Sequence, residues 1–265
     1  MTQARPQETV EITADGGVTV IAYTSLPAGM ITNKGAALLA DALEAALADE
    51  GVRAVIITGG SGDTFIRHAD VGQIARAALA LEQGVADAQA FLDAPFQRLG
   101  QLLDGARKPV IAAINGHCMG GGFEIALACT VRVAGSNVGN IGLPEIRIDI
   151  FPGAGGTQRL ARLIGRHKAR LFILEGRVVN AATAFDLGLV DHLADDPVAR
   201  AREIALNMVR RTREAVAAVM DLTRFDDAAG LSAEAVAFAE ILTGPGVRER
   251  LEQFQNEAQK LEQLP

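Results

Sequence analysis

The stretch NGHCMGGGFE, residues Asn115 to Glu124, is the part of the chain that decides its fold. It joins two apolar runs, Pro109 to Ile114 and Ile125 to Cys129, which predicts a buried strand, a glycine turn and a helix. At a helix N-terminus backbone N–H groups are unpaired and the helix dipole is positive, so an oxygen that gains negative charge is stabilised there. The pattern fits an oxyanion hole beside an acid or base, Glu124. A tight turn with an exposed glutamate fits the same local pattern.

The composition is that of an ordinary globular protein with an acidic balance. Of the 265 residues 49% are hydrophobic, and the formal net charge is −7, from 25 Lys and Arg against 32 Asp and Glu. This charge, the absence of Trp and the single tyrosine, Tyr23, argue against nucleic-acid binding. No uninterrupted apolar segment reaches the ~18 residues of a membrane span, so no membrane partner is expected.

The cysteines, Cys118 and Cys129, flank the predicted helix start and have the features of small core residues. No secretory leader is evident before them. A reduced, cytoplasmic setting is therefore expected rather than a disulfide.

The pattern of elements predicts a mixed β/α core over residues 1–196 and a helical region over 197–265. Two early strands around Asp15-Gly16-Gly17 indicate a hairpin, and an Ala/Leu-rich helix follows from Asn33 to Glu50. From about Thr157 onward the chain is expected to be nearly all helical. Amphipathic spacing in the C-terminal region fits helices that cover the core or pack on another subunit.

Several longer motifs resemble the crotonase superfamily, the enoyl-CoA hydratase/isomerase family. They run from Lys108 to Cys129, from Gly142 to Ile146, from Phe151 to Leu160 and from Ala181 to Asp191. The resemblance implies an α/β fold, a crotonase-like spiral of ββα units with a C-terminal helical region that serves in trimerisation or as a lid. It implies a homotrimer or a dimer of trimers. It also implies an acyl-CoA thioester as substrate, with no metal and no redox cofactor, CoA being part of the substrate.

The catalytic residues that the resemblance implies are Glu124 and Glu145, with the backbone N–H groups of Ala69 and Gly121 as oxyanion donors. In a hydratase one carboxylate activates water for attack at Cβ and the other delivers a proton to Cα. Two carboxylates around one water tend to separate in pKa, which permits one acid and one base near neutral pH. Glu124 is expected to polarise the water and Glu145 to handle the Cα proton.

The segment Phe65 to Asp70 departs from the family pattern, because Arg67 stands where the family has alanine and His68 where it has glycine. This backbone normally grips CoA, so Arg67, His68 and Asp70, together with Gly120, are predicted to bind substrate or CoA. Arg67 could pair with a CoA phosphate, remain a solvated charge or block the usual nucleotide position. His68 could be catalytic or hold a structural hydrogen bond.

Two C-terminal residues, Phe254 and Lys260, are further predicted CoA contacts, with surface positions as the alternative. His117, in the glycine turn, is expected to bond locally. Gly153 to Gly156 could cradle a phosphate, but its spacing fails the dinucleotide pattern, and in the family this stretch shapes a turn beside the acyl pocket.

The leading predicted function is an enoyl-CoA hydratase that forms a 3-hydroxyacyl-CoA. The altered pair Arg67-His68 and His117 motivate an alternative, a crotonase relative that cleaves a β-diketone carbon–carbon bond without CoA. Double-bond isomerisation is another alternative, because a single glutamate can shuttle a proton. An RNA-binding or scaffold role is disfavoured by the acidic balance and by the two retained glutamates.

Overall fold

A computed structural model describes residues 7–224, 226–256, 261 and 264. Its strands are β1 Gln7–Asp15, β2 Val18–Leu26, β3 Ala54–Gly59, β4 Thr64–Ile66, β5 Val110–Ile114, β6 His117–Met119, β7 Val131–Gly135, β8 Ile141–Gly142, β9 Val178–Val179 and β10 His192–Ala194. The α-helices of the first half are α1 Asn33–Ala48, α2 Val71–Glu82, α3 Gln89–Leu92, α4 Pro95–Asp104 and α5 Gly121–Ala128. Those of the second half are α6 Gly156–Ile164, α7 Arg166–Leu174, α8 Ala181–Asp186, α9 Pro197–Val209, α10 Arg213–Leu222, α11 Ala228–Leu242 and α12 Val247–Asn256. A 3-10 helix spans Glu145–Ile148.

The strands form two sheets that the chain visits alternately. The larger sheet has the order β1-β2-β3-β5-β7-β10 and the smaller one β4-β6-β8-β9. The repeat has three copies, the pairs β3-β4, β5-β6 and β7-β8. In each pair the first strand lies in the large sheet and the second in the small one, and a helical segment follows. Successive strands of these repeats are parallel. This confirms the predicted α/β spiral of ββα units with a C-terminal helical region.

The central strands are buried on both faces, which explains their nearly continuous apolar sequence. In β3, Val55 and Ile57 pack in the same core as Leu39 of α1. The alternate residue Ile56 packs with Ala201 of α9 in a second core on the opposite face. Because side chains alternate between the faces of a strand, one short apolar run anchors helices on both sides of the sheet.

Two expectations about local structure were wrong. The chain after Thr157 is not nearly all helical, because β9 joins the small sheet and β10 extends the large one. A short strand, β6, also stands between the central strand and the glycine turn, which shortens the turn to Gly120. Strands of two or three residues carry too little alternation to be recognised in sequence, and pairing with distant strands decides them.

The C-terminal helices cover the chain's own core. Phe238 of α11, and Leu251 and Phe254 of α12, pack with Val71 of α2 and with Ile148 of the 3-10 helix. The trimerisation role expected for residues 197–265 stays a prediction. None of the helices formed by the described residues has the length and apolar character of a membrane span.

Candidate active site

A cavity of about 250 Å³ lies between the segments that carry Glu124 and Glu145 and the C-terminal helices. Ala69, Gly121, Glu124 and Glu145 all line it, although they come from four separate segments of the chain. Most of the remaining wall is apolar: Ile31, Val71, Ile74, Ala77, Ala90, Phe91, Ala94, Phe96, Ile148, Ile150, Phe151, Ala154, Phe238 and Leu261. An apolar cavity with a few convergent polar groups is typical of a small-molecule site.

The two predicted oxyanion donors lie side by side. A Cβ placed on Gly121 would lie 3.2 Å from the Cβ of Ala69. Gly121 is the first residue of α5, where an N–H group has no acceptor within the helix. Ala69 forms a parallel β-bridge with Ile31. The hydrogen bonds of this bridge are made by the residues on either side of Ala69: Ile31 N donates to His68 O, and Asp70 N donates to Ile31 O. The Ala69 amide takes no part in that pairing, so it is not committed to the bridge, just as the Gly121 amide is not committed to a bond within α5.

Gly120 permits the close approach of Glu145 to the start of α5. Its backbone has φ 49° and ψ −129°, a conformation that residues with a Cβ rarely adopt. A Cβ at this position would also lie 3.0 Å from Glu145 Oε1. The glycine run therefore does more than turn the chain, because it leaves the space that the second carboxylate occupies.

Glu124 is held by the backbone of a second glycine-rich turn. Its Oε1 accepts hydrogen bonds from the amides of Ala154 and Gly156, both at 2.8 Å. The side chain is almost fully buried, and this burial raises the pKa of Glu124 to about 7, helped by the charge of Glu234 and opposed by the two amides. Gly153 to Gly156 thus cradles a carboxylate of the chain itself.

Glu145 occupies a very different environment. It begins the 3-10 helix and is buried, and its Oε2 has no hydrogen-bond partner among the described residues. Burial raises the pKa of Glu145 well above its usual range, and the nearby charge of Glu124 raises it further. A carboxyl group in this environment is favoured in its protonated form.

A buried ion pair supports the turn that holds Glu124. Arg159 of α6 binds Asp104 through Nε at 3.1 Å and Nη2 at 2.6 Å, and its Nη1 donates to Ala154 O at 2.7 Å. Both side chains are nearly buried, with 4% and 11% of their surfaces exposed. Arg159 therefore fixes the carbonyl of the residue whose amide binds Glu124.

The other predicted binding residues divide into two groups. His68, Asp70 and Gly120 line the cavity. The ring of His68 is buried, and its Nδ1 donates to Ala69 O at 2.8 Å. Asp70 caps α2, where its Oδ1 accepts from Gln73 N at 3.0 Å.

Arg67 and Phe254 do not reach the cavity wall. Arg67 is not among the lining residues, and Phe254 packs in the adjacent core, with its ring centroid 6.5 Å from that of His68. Lys260 lies outside the described residues. His117 bonds locally as expected, with Asn140 Nδ2 at 2.8 Å from its Nδ1. The CoA-binding roles of Arg67, Phe254 and Lys260 stay predictions.

Sequence reasoning missed Glu234, Gln97 and the aromatic residues around the cavity. Gln97 of α4 donates from Nε2 to Gly153 O at 3.1 Å. Glu234 of α11 is a further buried carboxylate, and it binds the same turn as Glu124. Glu234 lies four residues before the buried Phe238, so the two share one face of α11. A charged residue on an otherwise apolar helix face was the sequence signal that could have identified Glu234.

Comparison with known proteins places this arrangement in a family. The profile of the enoyl-CoA hydratase/isomerase family matches residues 16–258. The chain belongs to the enoyl-CoA hydratase/isomerase family. YngF of Bacillus subtilis, whose name assigns it to the enoyl-CoA hydratases/isomerases, is 40% identical over 213 residues, covering 78% of this chain and 79% of that protein.

Two further relatives within the enoyl-CoA hydratase/isomerase family carry more specific names. A crotonyl-CoA hydratase of Syntrophomonas wolfei is 34% identical over 226 residues, covering 82% of this chain and 84% of the relative. The crystal structure of a carnitinyl-CoA hydratase from Mycobacterium avium superposes with a TM-score of 0.79 at 25% identity, covering 96% of this chain and 97% of that one.

Proposed function

We propose that this protein is an enoyl-CoA hydratase, which adds water across the 2,3 double bond of an acyl-CoA thioester to give a 3-hydroxyacyl-CoA. One observation carries the proposal. Two buried carboxylates in opposite hydrogen-bonding environments line one cavity together with two main-chain amides. This arrangement supports an acid and a base acting on neighbouring carbon atoms.

The proposed reaction begins with the thioester oxygen between the amides of Ala69 and Gly121. Their N–H groups stabilise the negative charge that this oxygen gains as a nucleophile adds at Cβ, and one such donor contributes about 2.7 to 4 kcal/mol in other enzymes. Both amides belong to backbone with regular pairing nearby, Gly121 to α5 and Ala69 to the bridge with Ile31.

Glu124 and Glu145 divide the proton transfers. The two amides favour the ionised form of Glu124 against the burial that raises its pKa to about 7, and the ionised carboxylate removes a proton from water as the water oxygen bonds to Cβ. Glu145, favoured in its protonated form by burial, delivers its proton to Cα and the enolate returns to the thioester. The proton gained by Glu124 and the one lost by Glu145 then re-equilibrate with solvent.

The same cavity favours hydration over the other predicted activities. Isomerisation needs one group that shuttles a proton, whereas both carboxylates face this cavity. The diketone hydrolase hypothesis was motivated in part by His117, which bonds Asn140 and is not among the lining residues. The names of the crotonyl-CoA and carnitinyl-CoA relatives support an acyl-CoA as the substrate class.

The test is the loss of the conjugated thioester absorbance of crotonyl-CoA. Glu124→Gln and Glu145→Gln are each expected to lower kcat by about 10²- to 10⁴-fold, because each removes one proton transfer. Glu240→Gln, an exposed glutamate of α11, is the matched control and keeps full activity. Near-normal turnover in either active-site variant contradicts the assignment, and migration of the double bond of a 3-enoyl-CoA without hydration favours the isomerase.

A further inference from the structure

Glu234 joins the C-terminal helices to the turn that holds Glu124. It lies on α11, with 5% of its surface exposed. Its Oε1 accepts from the amide of Gly155, and its Oε2 accepts from the amide of Thr157 at 3.1 Å and from the hydroxyl of Thr157. No family motif recognised in the sequence includes this residue.

Two carboxylates share the successive amides of this turn in alternation. The amides of Ala154 and Gly156 donate to Glu124, and those of Gly155 and Thr157 donate to Glu234. The turn is thus held between α5 on one side and α11 on the other. A shift of Glu234 would move the peptide groups that adjoin the two whose N–H groups bind Glu124.

The charges around this turn come from several elements. Glu124 faces it from α5, and Arg159 of α6 is paired with Asp104 of α4. The charges of Glu124 and Glu234 both raise the pKa of Glu145 in the 3-10 helix. Burial raises the pKa of Glu234, and its hydrogen bonds to Thr157 and Gly155 and the charge of Arg159 oppose that rise. The charge of Glu234 in turn raises the pKa of Glu124, second in size only to burial.

We propose that Glu234 is a positioning residue for catalysis: it fixes the turn from Ala154 to Thr157 that orients Glu124, and its negative charge sets the pH range in which Glu124 acts as a base. The inference rests on the proposed function, because it takes Glu124 as the base. A purely structural role would need only the hydrogen bonds of Glu234. The proposed role needs its negative charge as well.

The experiment compares Glu234→Gln with Glu234→Asp and with the control Glu240→Gln. The ionisation of Glu124 is followed directly, by the ¹³Cδ chemical shift of labelled glutamate over a pH series, with Glu124→Gln identifying the signal. The pH profile of kcat/KM with crotonyl-CoA is recorded for the same variants. The ¹³Cδ shift of Glu124 can be measured whether or not the protein is active. Failure of the hydratase assignment is therefore seen separately, because the wild-type protein would then not hydrate crotonyl-CoA.

The expected result is that Glu124 in Glu234→Gln titrates at lower pH than in the wild-type protein, because a neighbouring negative charge is gone. The acid limb of kcat/KM moves the same way, and kcat falls roughly ten- to hundredfold as the turn loses an acceptor. In Glu234→Asp the charge remains, so the titration midpoint stays near that of the wild type while kcat falls. Glu240→Gln changes neither.

Thr157→Val gives a second variant that tests the charge if Glu234→Gln does not fold. Without the hydroxyl hydrogen bond Glu234 is more readily protonated, so Glu124 again titrates at lower pH, by a smaller amount. The proposal is overturned if Glu124 titrates at the same pH in folded Glu234→Gln or Thr157→Val as in the wild type. An equal shift in Glu240→Gln also overturns it.

Discussion

Glu124 and Glu145 line one cavity in opposite hydrogen-bonding environments. Oε1 of Glu124 accepts two amide hydrogen bonds, whereas Oε2 of Glu145 is buried without a hydrogen bond to any described residue. Hydrogen bonds to a carboxylate favour its charged form and burial disfavours it. The proposed base and acid roles therefore rest on the surroundings of each side chain, since two glutamates are chemically identical.

This difference predicts a bell-shaped pH dependence of kcat/KM with crotonyl-CoA. Glu124 must be ionised to act as a base, so activity rises with pH through its pKa of about 7. Glu145 must be protonated to act as an acid, so activity falls again as the pH passes its raised pKa. Steady-state rates across the pH range measure both limbs.

Single substitutions assign the two limbs. Residual activity of Glu124→Gln should lack the acid limb, and that of Glu145→Gln should lack the alkaline limb. A wild-type profile that is flat through pH values of about 7 is incompatible with the division of roles.

Substitution of Gly121 tests its backbone N–H as an oxyanion donor. Gly121→Pro removes the N–H at the first residue of a helix, a position that proline tolerates. Gly121→Ala is the matched control, because both variants add a Cβ close to Phe96 Cε1, at 3.1 Å, but only the proline variant replaces the N–H hydrogen with a ring carbon. Relative to the alanine variant, kcat of the proline variant is expected to fall by about 10²- to 10³-fold. Equal rates in the two variants would exclude this amide as a donor.

The aromatic wall of the cavity predicts a limit on acyl chain length. Phe238 contacts Phe91 and Phe151 edge to face, with ring centroids 5.5 Å and 5.6 Å apart, and all three line the cavity. Phe238→Ala should raise kcat/KM for 2-decenoyl-CoA relative to crotonyl-CoA by roughly tenfold or more, because extra methylenes gain apolar contacts in the enlarged cavity. The exposed Phe185 of α8 provides the control, Phe185→Ala. An unchanged ratio in Phe238→Ala would place the acyl chain elsewhere.

The pair Arg159–Asp104 is expected to contribute strongly to stability. Asp104→Asn leaves the buried guanidinium without its counter-charge and should lower the free energy of unfolding by about 3 to 5 kcal/mol. Urea denaturation at fixed protein concentration measures the change. Asp41→Asn, which breaks an exposed pair with Arg98, should have a much smaller effect. Similar losses in the two variants would show that burial does not distinguish the pairs.

The resemblance of the motifs predicted the spiral of ββα units, and the apolar runs predicted its central strands. Those runs are long enough to show their pattern, and the glycine turn before α5 is read from residues adjacent in sequence. The strands β9 and β10 were not predicted, because two or three residues adopt extended structure only when a partner strand is present. Local sequence therefore determined the repeated unit but not the edges of the sheets.

The site shows the same division. The motif around Glu124 identified a carboxylate at the start of a helix beside a glycine turn, and the resemblance added Glu145. Neither predicted that the turn from Ala154 would bind Glu124, nor that Glu234, 79 residues from Gly155 along the chain, would bind its alternate amides.

By itself the sequence determined which residues can carry charge and where helices begin, because periodicity, glycine conformations and caps act over a few neighbouring residues. Only the tertiary structure decided how each carboxylate is buried and hydrogen-bonded, and the proposed base and acid roles rest on that difference. Desolvation and hydrogen bonds to distant backbone set that balance, and both arise only when separate segments close around the cavity.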